Sequence, residues 1–147
     1  MTAMRYNGDA AHTALLINGS QRVIYDPAGT FRDKDVPERA DLLYGITPAK
    51  LDRYIDYQAE EGLLWLMQTK VVAPEVAEAA IRAAIEVGAA PGGFCARNSA
   101  EILSKTPGFQ SIPVEFWPKK VKDAFAALPG VTSRLIEQHD ARLDLNQ

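Results

Sequence analysis

Apolar positions form short β-branched runs near the N-terminus and helical stripes after residue 47. His12-Thr-Ala-Leu-Leu-Ile17 and Arg22-Val-Ile-Tyr25 flank Asn18-Gly19-Ser20-Gln21, which predicts a β-hairpin. Asp26-Pro27-Ala28-Gly29 ends the second strand, and the charged, Pro-containing stretch from Thr30 to Gly45 reads as a loop or flap. Thr47 is a favourable N-cap ahead of Pro48, and Leu51, Tyr54, Ile55 and Ala59 share a face. A helix is therefore expected from Pro48 to about Glu60, broken by Gly62. Leu63 to Val72 reads as a strand. Pro74 opens a helix whose stripe is Val76, Ala80, Ile81, Ala84 and Ile85, ending near Gly88. After the small-residue loop Ala89–Gly93, a third helix starts at Phe94-Cys95 and stops before Pro107-Gly108. A fourth runs from about Pro118 to Leu128, with Val121, Ala124, Phe125 and Leu128 inward. The stretch Arg134-Leu-Ile-Glu137 fits strand or helix. The order ββ-α-β-α-α-α predicts an α+β domain, a small antiparallel sheet packed against helices.

A chain of 147 residues suits one domain spanning 1–147, because two cores would each be marginal. Residues 1–11 and about 140–147 read as flexible tails. With 47% apolar and 24% charged residues, the composition is that of a globular protein. Sixteen Lys and Arg against nineteen Asp and Glu give a formal charge of -3, which argues against a nucleic-acid partner bound through phosphates. One cysteine excludes an internal disulfide, and with two histidines a metal site is not expected. No run approaches the ~18 apolar residues of a membrane span, and Met1 to Ala11 lacks a secretory apolar core. As written, the chain is expected to be cytoplasmic. A start site further upstream or a phage origin would make it extracytoplasmic or particle-associated. Phosphate-loop, dinucleotide, serine-elbow and zinc-protease motifs are absent from the sequence, so no cofactor is expected.

The candidate chemistry rests on Cys95, His12 and Asp26. Cys95 follows Gly92-Gly93 and lies in the predicted first turn of a helix, where unpaired N–H groups and the macrodipole favour a thiolate. Arg97 could add positive potential. The plain alternative is a small buried hydrophobe after a turn. His12 stands at the outer end of the first hairpin strand, placed as a general base or as an ordinary strand-end histidine. Asp26 faces it if paired residue numbers sum to 38; a tight Asn18-Gly19 turn gives 37 and opposes His12 to Tyr25 instead. Asp26 is either an orienting carboxylate or an Asx-turn residue helped by Pro27. His139 is a rival base in a polar setting. Lys119, Lys120 and Lys122 fit the solvated face of a helix. Trp65 and Tyr54 suit the core, Trp117 a groove rim, and Asp41 to Gly45 could cover the site.

His12-Thr-Ala-Leu-Leu-Ile on a first strand, a polar residue on the next, and a late Phe-Cys opening a helix resemble the circularly permuted papain-like group. That group includes NlpC-like cell-wall amidases, YiiX-like hydrolases and lecithin:retinol acyltransferase relatives. In it histidine precedes cysteine, as in the order His12, Asp26, Cys95 here. The resemblance covers about residues 12–104. It implies a permuted papain-like fold with Cys95 as nucleophile, His12 as base and Asp26 as orienting group. It also implies a thiol hydrolase or acyltransferase acting on an amide or peptide bond, with peptidoglycan peptides as the default substrate and lipid acyl chemistry second. Phe94 departs from the group, which carries a polar residue at that position. That departure leaves room for a catalytically silent binding module, such as a subunit of a phage-like assembly. A redox-sensing thiol is a third reading.

Overall fold

The first apolar run is divided between two sheets. In the computed structural model, which describes residues 1–59 and 63–137, β1 (Thr2–Met4) and β2 (Ala10–Thr13) pair in one sheet. At the fully buried Ala14 the chain crosses into the other, where β3 (Leu15–Asn18) pairs with β4 (Arg22–Tyr25). Residues 1–11 are thus no tail. Thr2 and Ala3 are buried, and β1 lies between β2 and β7 (Leu64–Thr69), with β8 (Thr132–Ile136) beyond. The first sheet has the order β2-β1-β7-β8 and is antiparallel throughout.

The second sheet, β3-β4-β6-β5, contains a hairpin inside the stretch expected to be loop: β5 (Glu38–Arg39) and β6 (Leu42–Leu43). Leu42 and Leu43 are both buried, and β6 pairs with β4, so the segment belongs to the core rather than to a flap. In the first hairpin Leu15 pairs with Tyr25 and Asn18 with Arg22, so paired numbers sum to 40, neither 38 nor 37. Asn18 belongs to the strand, and Gly19–Gln21 make the turn. The Glu78 carboxylate accepts the Ser20 N–H, which steadies this longer loop against the following helix.

Among the described residues four helices complete the α+β fold: α1 (Pro48–Ala59), α2 (Pro74–Val87), α3 (Cys95–Ser104) and α4 (Pro118–Ala126). Thr47 Oγ1 accepts the Lys50 N–H at 3.3 Å, the expected cap of α1. The ambiguous C-terminal stretch is strand β8. Glu60, Gly62 and residues 138–147, including His139, lie outside the described residues. No helix among the described residues is long and apolar enough to cross a membrane.

Alternation along the second sheet divides the apolar interior. Leu15, Ile17, Val23, Tyr25 and Leu42 face α2 and α3, joining Ile81, Ala84, Ala100 and Ile102. Ile24 and Leu43 face the other way, toward α1 and the first sheet, with Tyr54, Ile55 and Trp65. Within that first sheet Ala3 pairs with His12 on one side and Trp65 on the other. Directly paired side chains share a face. The small Ala3 lets the two rings meet edge to face, 6.5 Å apart at 80°.

Ala3→Leu is therefore expected to overpack this row and lower the unfolding free energy by about 1–3 kcal/mol in urea titrations. Unchanged stability would show that the row has slack.

Candidate active site

His12 projects from β2, an edge strand of the first sheet, with its side chain 21% exposed. Its Nε2 lies 2.7 Å from Oδ1 of Asp26, just past the end of β4. Asp26 is only 4% exposed, so this carboxylate is one of few buried charges and has a direct partner. Its other oxygen lies 3.5 Å from Gln58 Nε2. The turn that carries it closes with the Gly29 N–H donating to the Asp26 carbonyl at 3.0 Å. Gly29 is required there, because a Cβ would fall 1.9 Å from Asp26 Oδ2. Pro27 followed by Ala28 at φ 56° gives the φ signature of a type II turn.

Cys95 is the first residue of α3 and is partly exposed. Gly93, at φ 81°, turns the chain into it. The His12 ring and the Thr13 and Ala96 N–H groups are hydrogen-bond partners of the sulfur. With Nε2 on Asp26, Nδ1 is the ring nitrogen left for Cys95. Burial opposes ionisation of both groups. In His12 the hydrogen bonds and charges of Asp26 and Cys95 outweigh it and lift the pKa to about 9. In Cys95 the hydrogen bond and charge of His12, with the two N–H groups, outweigh it and lower the pKa. Both shifts favour the thiolate–imidazolium form of the pair over the neutral one. Tyr54 stands fully buried beside Asp26; burial first and that charge second hold its phenol well above the usual range.

All three residues singled out in the sequence thus meet. They do so by a route different from the register argument: β2 leaves the hairpin at Ala14, and Asp26 reaches His12 side chain to side chain. Arg97 is engaged elsewhere, 3.5 Å from Glu101 and stacked 5.9 Å and 5.8 Å from the Phe94 and Phe116 ring centres. Phe94 packs edge-on against Phe116 at 5.0 Å, so the residue before the cysteine builds an aromatic edge rather than a polar one. Trp117 is 65% exposed, whereas Trp65 and Tyr54 are core. Lys119 pairs with Asp123 and Lys120 with Glu115 on a solvated face, whereas Lys122, which also reaches Asp123, is only 18% exposed and does not belong to that face.

Asp41, expected at most to cover the site, ties it together. Its carboxylate accepts the Ala28 N–H at 2.9 Å and the Ala90 N–H at 2.8 Å, and its carbonyl accepts the Asp26 N–H at 2.9 Å. One side chain therefore joins the Asp26 turn to the loop before Cys95. The non-glycine residues with positive φ among those described, Ala28, Ala40 and Asp41, all sit in this knot. That concentration of strain is typical of functional sites. A second anchor holds the same loop: Tyr25 Oη donates to the Gly88 carbonyl at 2.7 Å, and Asn98 Nδ2 reaches Tyr25 Oη at 3.4 Å. Nothing in the local pattern marks Asp41, Tyr25 or Gln58, because their partners are remote in the chain. Among the described residues no three His, Cys, Asp or Glu side chains converge as a metal site.

Comparisons with protein-family models, with curated proteins and with solved structures find no match to this chain.

Asp41→Ala is expected to lower stability by about 2–3 kcal/mol through two lost charge-assisted bonds, and to move the apparent pKa of Cys95 alkylation upward. Asp41→Asn, which keeps one acceptor oxygen, should fall between. A variant with wild-type thiol titration would show that the clamp does not position the pair.

Proposed function

We propose that this chain is a cysteine-dependent hydrolase or acyltransferase acting on an amide or ester carbonyl, on a permuted papain-like fold. The observation that carries the reading is the His12 ring bridging the buried Asp26 carboxylate and the partly exposed Cys95 thiol. The order His12, Asp26, Cys95 and the cysteine at a helix N-terminus support it. In this reaction the Cys95 thiolate attacks the carbonyl carbon, and helix N-terminal N–H groups face the oxyanion that forms. Imidazolium His12 gives its Nδ1 proton to the leaving amine or alkoxide as the bond to carbon breaks. Neutral His12 then takes a proton from water or another acceptor, which displaces the sulfur and restores the ion pair. Asp26 fixes the ring orientation and stabilises its cationic form. A peptide-type substrate, peptidoglycan stem peptides first, is the class the family resemblance implies.

A silent binding module on the same fold is the second reading, and Phe94 favours it. Phe94, packed against Phe116, stands where the resembled group carries a polar residue.

The pair is tested by the rate of Cys95 alkylation by iodoacetamide from pH 4 to 10. Wild type should show an apparent pKa below the ~8.5 of a free thiol, and His12→Ala should raise it by about one unit or more. A thiol that titrates normally in both proteins overturns the reading. Turnover of a peptide or ester substrate should give a bell-shaped pH profile. Its acid limb follows protonation of the thiolate, and its alkaline limb lies near pH 9, where His12 loses the proton the leaving group needs. Asp26→Asn should cut kcat at least about tenfold and shift the alkaline limb down, since the group that raises the His12 pKa is gone.

A further inference from the structure

Away from the dyad, the seam between the two apolar clusters opens into a cavity of about 580 Å³, within the ~300–1,000 Å³ range of pockets that enclose small ligands. Its walls are mainly aliphatic: Leu51 and Met67 on one side, Val76, Leu103 and Phe125 on the other. Neither His12 nor Cys95 lines it. Among the described residues its charged side chains are Arg22, Lys70 and Lys122, with no Asp or Glu, in a chain whose acids outnumber its bases nineteen to sixteen. Lys70 donates to the neutral Pro129 carbonyl and Arg22 Nε to the Asn18 amide oxygen at 3.4 Å. Lys122 shares the Asp123 carboxylate with Lys119, so two ammonium groups face one acid. Thr13 also lines the cavity, and its buried Oγ1 has no hydrogen-bond partner among the described residues.

We infer that this cavity binds a free fatty acid: an alkyl chain within the aliphatic walls and a carboxylate held by the cations. A neutral ligand would use the apolar walls but leave the cationic lining uncompensated. An aqueous filling would satisfy the few polar groups but would place most of its water against aliphatic walls that cannot hydrogen-bond it. This site is separate from the proposed chemistry at Cys95 and stands or falls without it.

Calorimetric titration of the full chain with octanoate, decanoate and dodecanoate, below their micelle concentrations, tests the assignment. Affinity should rise roughly three- to fourfold per added methylene, as expected for apolar burial. Decyltrimethylammonium should bind at least tenfold more weakly than decanoate. Lys70→Glu combined with Lys122→Glu should weaken decanoate at least tenfold while leaving decanol within about twofold. Ala80→Phe, which fills the cavity, should abolish binding of both; the rim double variant decides the matter if this core variant fails to fold. Equal affinity for the anionic and cationic amphiphiles, no dependence on chain length, or binding seen only with phosphatidylglycerol vesicles would each overturn the proposal.

Discussion

A carboxylate taken out of water must find a cation or hydrogen-bond donors, or its desolvation costs several kcal/mol. Asp26 is such a carboxylate, and the fold around the site is organised to supply its partner. The turn from Asp26 to Gly29 needs a glycine where any Cβ would strike the acid, and it holds Ala28 in a left-handed conformation. The bend at Ala14 takes β2 out of the hairpin, which lets an edge-strand histidine reach a residue beyond the end of β4. Had β2 continued the β3–β4 register, Ala14 would oppose Asp26, and His12 would lie beyond it in the ladder. The buried charge, the bend and the glycine are one arrangement.

Cys95 is brought to the same point from the other core. It starts α3, whose next helical residues Ala96 and Ala100 are fully buried, so the helix cannot shift without disturbing its packing on α2 and β2. The loop before it is held at Gly88 by Tyr25 and at Ala90 by Asp41. Two anchors, Tyr25 at the end of β4 and Asp41 in the turn just before the neighbouring strand β6, thus fix both the turn bearing the acid and the loop leading to the thiol. Ala28, Ala40 and Asp41 carry an energetic penalty of order 1 kcal/mol or more each, and the hydrogen bonds of the Asp41 carboxylate offset it. A pair meant to stay at hydrogen-bond distance needs that rigidity.

The helices and the longer strands were legible because their apolar period is local: the stripe of α1 and the cap at Thr47 can be read without knowing what they pack on, and so can most of the α2 stripe, except that Ile85 is exposed and Ala77 and Ala83 are buried instead. The register of the first hairpin was not. Asn18-Gly19 suggests a two-residue turn, but Glu78, sixty residues away, steadies a three-residue one. Thr2–Met4 is too short to show alternation and becomes a strand only because β2 and β7 flank it. Leu42 and Leu43 sit among charges and positive-φ residues, so their core role was hidden. Cys95, His12 and Asp26 were legible by residue type and order. Asp41 was not, since a clamp is defined by two remote N–H groups rather than by its neighbours.

The two sites sort ligands by charge. At the dyad, Asp26 and the ionised form of Cys95 would place two negative groups around one imidazolium, so an anion arriving there would meet net repulsion and a neutral carbonyl would not. Nucleophilic attack on an ionised carboxylate is unfavourable for the same reason, which suits the proposed amide or ester chemistry. In the cavity the sign is reversed: among the described residues its charged lining is basic, and its walls are mainly apolar. A fatty acid is thus directed to the seam and away from the cysteine. Thr13 connects the two places, because its N–H is a partner of the Cys95 sulfur while the same residue lines the cavity. Any shift of β2 that accommodates a chain in the seam would act on the thiolate through that one backbone donor.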